Sequence, residues 1–181
     1  MITEVLRHVG TFSSGELAMI ETYLERRELR KNDVLLPEGQ VCRSVYFLVT
    51  GAFYQFRLND VDEQIIDLHI EGDWFLNHLS FISQKPSDTT IKAYVPSEVL
   101  ELSIFSLHEL IAHSPNFLQL GKLLEFPNLR TRFFDHSMTP LQKYQLIVAD
   151  RPLLLQKFPL KYIASYLKIT PETLSRVRGL H

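Results

Sequence analysis

Apolar residues recur at helical spacing near the start of the chain. After Ser13 and Ser14, the segment ELAMIETYLERREL brings Leu17, Ile20, Tyr23 and Leu24 to one side, with Glu16 in the first turn. This predicts one short amphipathic helix. From about residue 28 to 103 the pattern changes to short β-branched and aromatic runs broken by turn residues: DVLLPEG, SVYFLVTG, AFYQFRLND, EQIIDLHIEGDWF, TTIKAYV and SEVLELS. Runs of this length at nearly regular spacing predict an antiparallel sandwich or jelly roll. Gly39, Gly51 and Gly72 fall where runs end, as corners with positive φ require, and Pro37 and Pro96 fall at run edges, where a missing N–H is tolerated.

Helical spacing returns in FSLHELIAHS and NFLQLGKLLEF. In the second stretch Phe117, Leu118, Leu120, Leu123 and Leu124 cover more than one face of a helix, which calls for two partners. The expected arrangement sets the β domain on one side and the same helix of a second subunit on the other, with Leu120 and Leu124 in the dimer interface; an ordinary core helix of a monomer is the alternative. Pro127 predicts a kink or break near Glu125–Pro127.

The C-terminal part carries the most specific pattern. Thr139-Pro140 opens a helix running to about Asp150, followed by a loop around Arg151-Pro152 and the segment FPLKYIASYLKITPETLSRVRGLH. Pro159 can start a helix in which Ile163 and Leu167 face inward and Ala164 lets a second helix cross closely. Lys168-Ile169 forms a tight turn. Thr170 caps and Pro171 begins a second helix, with Leu174 and Val177 buried and Gly179 as its stop. Two short helices with this turn and apolar spacing predict a helix-turn-helix at residues 159–178, whose second helix enters a DNA major groove. Pro171, Glu172, Thr173, Ser175 and Arg176 are then expected to face outward, with Arg176 suited to guanine and Glu172 to the cytosine amine, and Lys161, Thr170 and Arg178 placed for further contact. A plain αα-hairpin closing the fold is the competing reading.

Charge sharpens this picture. Residues 151–181 hold six Lys or Arg residues against Glu172 alone, a net of +5, which leaves −7 on residues 1–150 of a chain whose total is −2. A basic end on an acidic body suits a polyanion at the C-terminus and repels it elsewhere. Cys42 is the single cysteine, so an internal disulfide and a four-cysteine zinc site are excluded, and a reduced, cytoplasmic setting is expected. No apolar run approaches the length of a membrane span, and the first residues lack the apolar core of a signal peptide.

Taken together, VYFLVTG after the PEG turn, IIDLHIEGDWF with its GD pair, and YIASYLKITPETLSRVR make the chain, from about residue 12 to 178, resemble the family of the cyclic-AMP receptor protein and the fumarate–nitrate regulator, the CRP/FNR type. The resemblance implies an α+β fold: an N-terminal antiparallel β-roll of the cyclic-nucleotide-binding kind with flanking helices, a dimerisation helix, and a C-terminal helix-turn-helix domain. The domain limits expected are 1–115, 116–138 and 139–181. It further implies a non-enzymatic regulator that binds double-stranded DNA at an inverted repeat as a homodimer, with an unidentified effector. Thr170 or Pro171 stands where many members have Arg, and Lys168 replaces a common turn glycine. The sequence given stops three residues after Arg178, where most members add a β-hairpin wing, so a wingless variant or a truncated chain is expected.

The same resemblance bears on the ligand. Nucleotide-binding relatives carry Gly-Glu for the ribose and Arg-Ser or Arg-Thr for the cyclic phosphate after the GD pair, arginine being apt because a buried phosphate needs a fixed fork of charged donors. Here Leu76-Asn77 and Ser87-Asp88 stand in those places, and neither Lys85 nor Lys92 is a secure replacement. Cyclic nucleotides are therefore not expected to bind. The candidate pocket comprises Trp74, Asn77, His78, Asp88 and Thr89, collapsed on Trp74, Phe75 and Phe81 or shaped for another ligand. His69 and His78 match no compact metal motif, so neither a metal nor a cofactor is expected. No nucleophile elbow or Gly-rich phosphate loop is present. A cupin-like metal enzyme and a sensing or interaction module without DNA binding remain the alternatives.

Overall fold

A computed structural model describes residues 2–6, 9–60, 62–124 and 137–179. Among them, eight strands form two four-stranded antiparallel sheets: β1 (Glu25–Leu29), β8 (Ser97–Ser103), β3 (Ser44–Thr50) and β6 (Trp74–Phe75) in one, and β2 (Val34–Leu36), β7 (Thr90–Ala93), β4 (Ala52–Asn59) and β5 (Asp62–Ile70) in the other. The expected jelly-roll-like β-roll is therefore present. Gly39, Gly51 and Gly72 all have positive φ. At Gly51 a side chain is excluded twice over, because φ is +102° and a Cβ would lie 2.7 Å from the Ser97 Cα.

Helices flank the roll. Near the N-terminus lie α1 (Ile2–Leu6) and α2 (Ser14–Tyr23), the latter closed by a reciprocal cap between Ser13 and Glu16. The helical pattern ends sooner than ELAMIETYLERREL suggested, because residues 25–29 become β1 and pair along β8. Arg26 and Arg27 of that strand meet Glu98 and Glu101. A short helix absent from the sequence reading, α3 (His78–Ser83), is capped by Asn77. Then α4 (Ile104–His113) leads into a 3₁₀ helix, Pro115–Leu124.

This last element corrects the dimer expectation. In a 3₁₀ helix side chains three apart eclipse, and Phe117, Leu120 and Leu123 all point into the β-roll core. Leu120 is 1% exposed, so it is spent inside its own chain and does not face a partner. Leu124 is half-buried against the same core, whereas Leu118 is exposed. The expected kink at Glu125–Pro127 and the remainder of the dimerisation helix lie outside the described residues.

The C-terminal region holds α5 (Pro140–Asp150), α6 (Leu153–Lys157), α7 (Leu160–Leu167) and α8 (Pro171–Arg178). Thr139 and Gln142 cap α5 reciprocally, as the Thr-Pro start suggested, while α6 occupies what reads as loop in the sequence. Strand β4 is buried on both faces: Phe53 belongs to the core inside the roll, whereas Ala52, Tyr54 and Phe56 belong to a second core shared with the C-terminal helices. A bulge between Gln55 and Phe56 sets Asp67 opposite the first and Ile65 opposite the second, so Ile65 and Leu68 both reach that second core. The core also takes Ile147, Leu154, Ile163, Tyr166 and Leu174. Among the described residues no helix is long and apolar enough to cross a membrane.

Candidate nucleic-acid interface and ligand pocket

Helices α7 and α8 meet through the tight turn that the sequence predicts. Ile163, Ala164, Tyr166 and Leu167 bury the inner face of α7, and Leu174 and Val177 that of α8. The turn is made at Lys168, whose φ of 59° and ψ of 44° are left-handed. A non-glycine residue carries a modest steric cost there. The Lys143 ammonium, buried under the turn, donates to the Leu167 carbonyl at 3.3 Å and sits at the negative end of α7. Thr170 caps α8 by accepting the Thr173 amide at 3.2 Å, with Pro171 in the first turn. Gly179 follows α8 with φ of −72°, so it ends the helix without the left-handed geometry glycine permits.

Of the residues expected to face outward, Pro171, Glu172, Ser175, Arg176 and Arg178 are exposed, as are Lys161 and Thr170. Thr173 is the exception: it is half-buried and its hydroxyl lies 3.1 Å from that of Thr170, because the capping turn folds the two side chains together. Glu172, Ser175, Arg176 and Gly179 line an open depression on this face. The carboxyl of Glu172 is held below its usual range by its own amide at the helix start, by the Thr170 hydroxyl and by Arg176. An acceptor and a fixed cation thus stand one helical turn apart on one exposed surface.

The other basic side chains of this region contact the β-roll, Arg151 and Lys168 partly buried and Lys157 at the surface. Arg151 donates to the Leu68 carbonyl at 3.1 Å and pairs with Asp73. Lys157 lies 3.1 Å from Glu71, and Lys168 donates to the Ile65 carbonyl at 2.8 Å. Ser165 accepts the Ile65 amide at 2.9 Å, and the Tyr54 and Tyr162 hydroxyls both approach Glu63. Burial alone would push the Arg151 guanidinium down, but Asp73, Tyr166 and Asp67 outweigh it and hold it above its ordinary value. Burial raises the Asp73 carboxyl despite Arg151, His69 and the Ile70 amide, so the pair is bought at a desolvation cost. Sequence reading counted these cations toward DNA; only the acidic run EQIIDLHIEGD opposite them hints otherwise.

In the β-roll the candidate pocket resolves differently from expectation. Asn77 and Thr89 do come together, joined by Ser87 and by Gln55, the latter missed in the sequence. The Asn77 amide donates to Ser87 Oγ and Thr89 Oγ1, both at 2.7 Å, and Gln55 donates to Thr89 Oγ1 at 2.7 Å. Asn77 Oδ1 accepts the Ser80 amide, and Ser80 in turn accepts the Cys42 amide, each at 2.9 Å. All five polar side chains are buried. Neutral groups that bond to one another occupy the space, and among the described residues no cation enters the network.

Trp74, His78 and Asp88 do not join it. The Trp74 indole packs on Phe47 and donates to the Val5 carbonyl at 3.2 Å, so it anchors α1. His78 begins α3 and is exposed. Asp88 is exposed and pairs with Arg57 of β4, so its carboxylate is turned away from the interior. Phe75 and Phe81 fill the interior as expected. Beside them His69 stacks on Phe75 with centroids 4.5 Å apart; its Nε2 has no hydrogen-bond partner, and burial pushes its pKa down against the opposing pull of Asp67 and Asp73.

The described residues thus form an eight-stranded roll with flanking helices, followed by short C-terminal helices. Residues 26–114 match the family model of the cyclic nucleotide-binding domain. Among solved structures, FixK2 from Bradyrhizobium japonicum is 21% identical with a TM-score of 0.67, over 87% of this chain and 83% of that one. A CooA mutant from Carboxydothermus hydrogenoformans is 16% identical with a TM-score of 0.63, over 98% and 82%. The Thermus thermophilus catabolite activator protein is 19% identical with a TM-score of 0.53, over 97% and 85%. The sequence matches no curated protein. Residues 26–114 thus resemble the cyclic nucleotide-binding domain, and the fold of the chain is similar to that of these three solved structures.

Proposed function

We propose that the chain is a DNA-binding transcription regulator whose reading element is α8 and whose β-roll does not respond to cyclic nucleotides. The observation that carries the first part is the division of α8 into a buried pair, Leu174 and Val177, and an exposed face bearing Glu172, Ser175 and Arg176. Arg176 donates to guanine, Glu172 accepts from the cytosine amine, and Lys161 and Arg178 contact phosphate. A two-fold dimer presents two such helices about 34 Å apart and prefers an inverted repeat. Its seam is not formed by Leu120, which the β-roll already occupies.

The second part rests on the network of Gln55, Asn77, Ser87 and Thr89. It offers amides and hydroxyls where a cyclic phosphate needs a cation, and the Asn77 amide already spends both of its N–H groups on Ser87 and Thr89. Selection from a pool of random duplexes with the purified chain tests the reading. The expected product is an inverted repeat whose half-site centres lie one DNA turn apart; a pool that stays random after repeated rounds would contradict it.

A further inference from the structure

An edge strand carries unpaired N–H and C=O groups that must be covered or exposed. Strand β5 is such an edge, since among the described residues its only strand neighbour is β4. Along it the C-terminal helices supply side chains where another strand would supply backbone. Ser165 takes the Ile65 N–H, Lys168 takes the Ile65 carbonyl, and Arg151 takes the Leu68 carbonyl. Just beyond the strand, Arg151 and Lys157 meet Asp73 and Glu71. Three of the six cations in residues 151–181 thus contact the β-roll, and two of them, Arg151 and Lys157, are held by carboxylates, which a polyanion resembles.

We propose that the edge of β5 is a latch: the docked state reserves Arg151, Lys157 and Lys168 for the β-roll and withholds half of the C-terminal positive charge from DNA, and release of the helices returns it. The proposal rests on the DNA-binding reading above. Docking leaves Glu172, Ser175 and Arg176 exposed, so the latch lowers affinity without covering the reading face. DNA phosphates compete with the carboxylates of Asp73 and Glu71 for Arg151 and Lys157, and with the Ile65 carbonyl for Lys168. Each cation that moves from a carboxylate to a phosphate releases a DNA counterion, so release raises the salt dependence of binding as well as its strength. Lys168 links the latch directly to the reader, being the turn residue two positions before the Thr170 cap.

The test compares the full chain with the Glu71→Gln/Asp73→Asn variant and with Glu28→Gln/Glu38→Gln, which changes net charge equally at exposed positions away from the latch. Two quantities are read: hydrogen exchange of the Ile65 amide, and affinity for a random-sequence duplex over a range of salt. The latch variant is expected to exchange Ile65 about tenfold faster. It should also bind several-fold tighter than the control, with a salt slope steeper by about two to three units. Glu71→Gln alone, at an exposed position, should shift both readouts in the same direction by less. Unchanged Ile65 exchange in the folded variants would overturn the latch, and so would an equal gain in affinity by the control. Faster Ile65 exchange with no duplex bound by any of the proteins would overturn the withholding role together with the DNA-binding reading. Sequence-specific binding with unchanged Ile65 exchange would overturn the latch alone.

Discussion

Ser165 and Ile65 stand 100 positions apart in sequence, yet the serine hydroxyl accepts the isoleucine amide at 2.9 Å. The Ile65 carbonyl meanwhile receives the Lys168 ammonium at 2.8 Å, so one residue of the sheet edge is bonded twice by α7 and the turn that follows it. The roll and the C-terminal helices are therefore joined by side-chain-to-backbone hydrogen bonds in addition to an apolar core.

Lys168 carries two opposing effects that substitution can separate. Lys168→Met keeps the left-handed turn and loses the bond to Ile65, and should destabilise the chain by about 1–2 kcal/mol. Lys168→Gly loses the same bond but relieves about 1 kcal/mol of turn strain, and should come out close to neutral. Urea unfolding of the two variants measures the difference. Equal stabilities would show that the turn is unstrained.

Asn77 caps α3 with one end of its amide and holds Ser87 and Thr89 with the other. Asn77→Ala removes the cap and leaves buried hydroxyls short of a partner, for a loss of about 2–4 kcal/mol. Calorimetry of the unaltered chain should show no saturable heat with cyclic AMP or cyclic GMP. Binding at micromolar nucleotide would mean that the polar network opens to admit a phosphate.

His69 gives the fold a pH dependence. Burial lowers its folded-state pKa below 6.5, so the unfolded chain takes up a proton first as pH falls. The stability contributed by the neutral imidazole is present above about pH 6.5 and is lost as pH falls from there toward the folded-state value. In that window unfolding free energy should fall by up to about 1.4 kcal/mol per pH unit from this one group. His69→Phe, which preserves the stack on Phe75, should flatten the slope in denaturant titrations between pH 7.5 and about 5. An unaltered slope would place the titrating group elsewhere.

The 3₁₀ helix separates folding from association. Leu120→Ala should cost about 2–5 kcal/mol at any protein concentration, because it opens a cavity inside one chain. Leu118→Glu, at an exposed position, should leave unfolding within about 0.5 kcal/mol of the parent. Concentration-dependent unfolding of Leu120→Ala would return that residue to the subunit interface.

What the sequence disclosed and what it hid follow from the range of the forces involved. Capping at Thr139 and Thr170, proline after each cap, and the apolar spacing of Ile163, Leu167, Leu174 and Val177 are local, and they placed three of the four C-terminal helices. The β-roll was legible from short β-branched runs and from Gly39, Gly51 and Gly72 at the corners. Leu120 misled because its pattern was read with a period of 3.6, whereas the chain adopts a period of three. The partners of Arg151, Lys157 and Lys168 lie 78 to 103 positions away, so no local pattern could assign them. Asp88 was a matter of direction: position in the sequence put it at the pocket, while pairing with Arg57 turns it to solvent.

The central claim is that α8 reads DNA, and the most direct measurement is an anisotropy titration of the parent, Arg176→Ala and Lys161→Ala chains on selected and scrambled duplexes at several salt concentrations. The account predicts that Arg176→Ala loses about 1–3 kcal/mol on the selected duplex and little on the scrambled one. Lys161→Ala should weaken both alike and lower the salt slope by about one unit. Equal losses on both duplexes for Arg176→Ala would reduce it to a phosphate contact, and no loss for either variant would contradict the claim that this helix meets DNA.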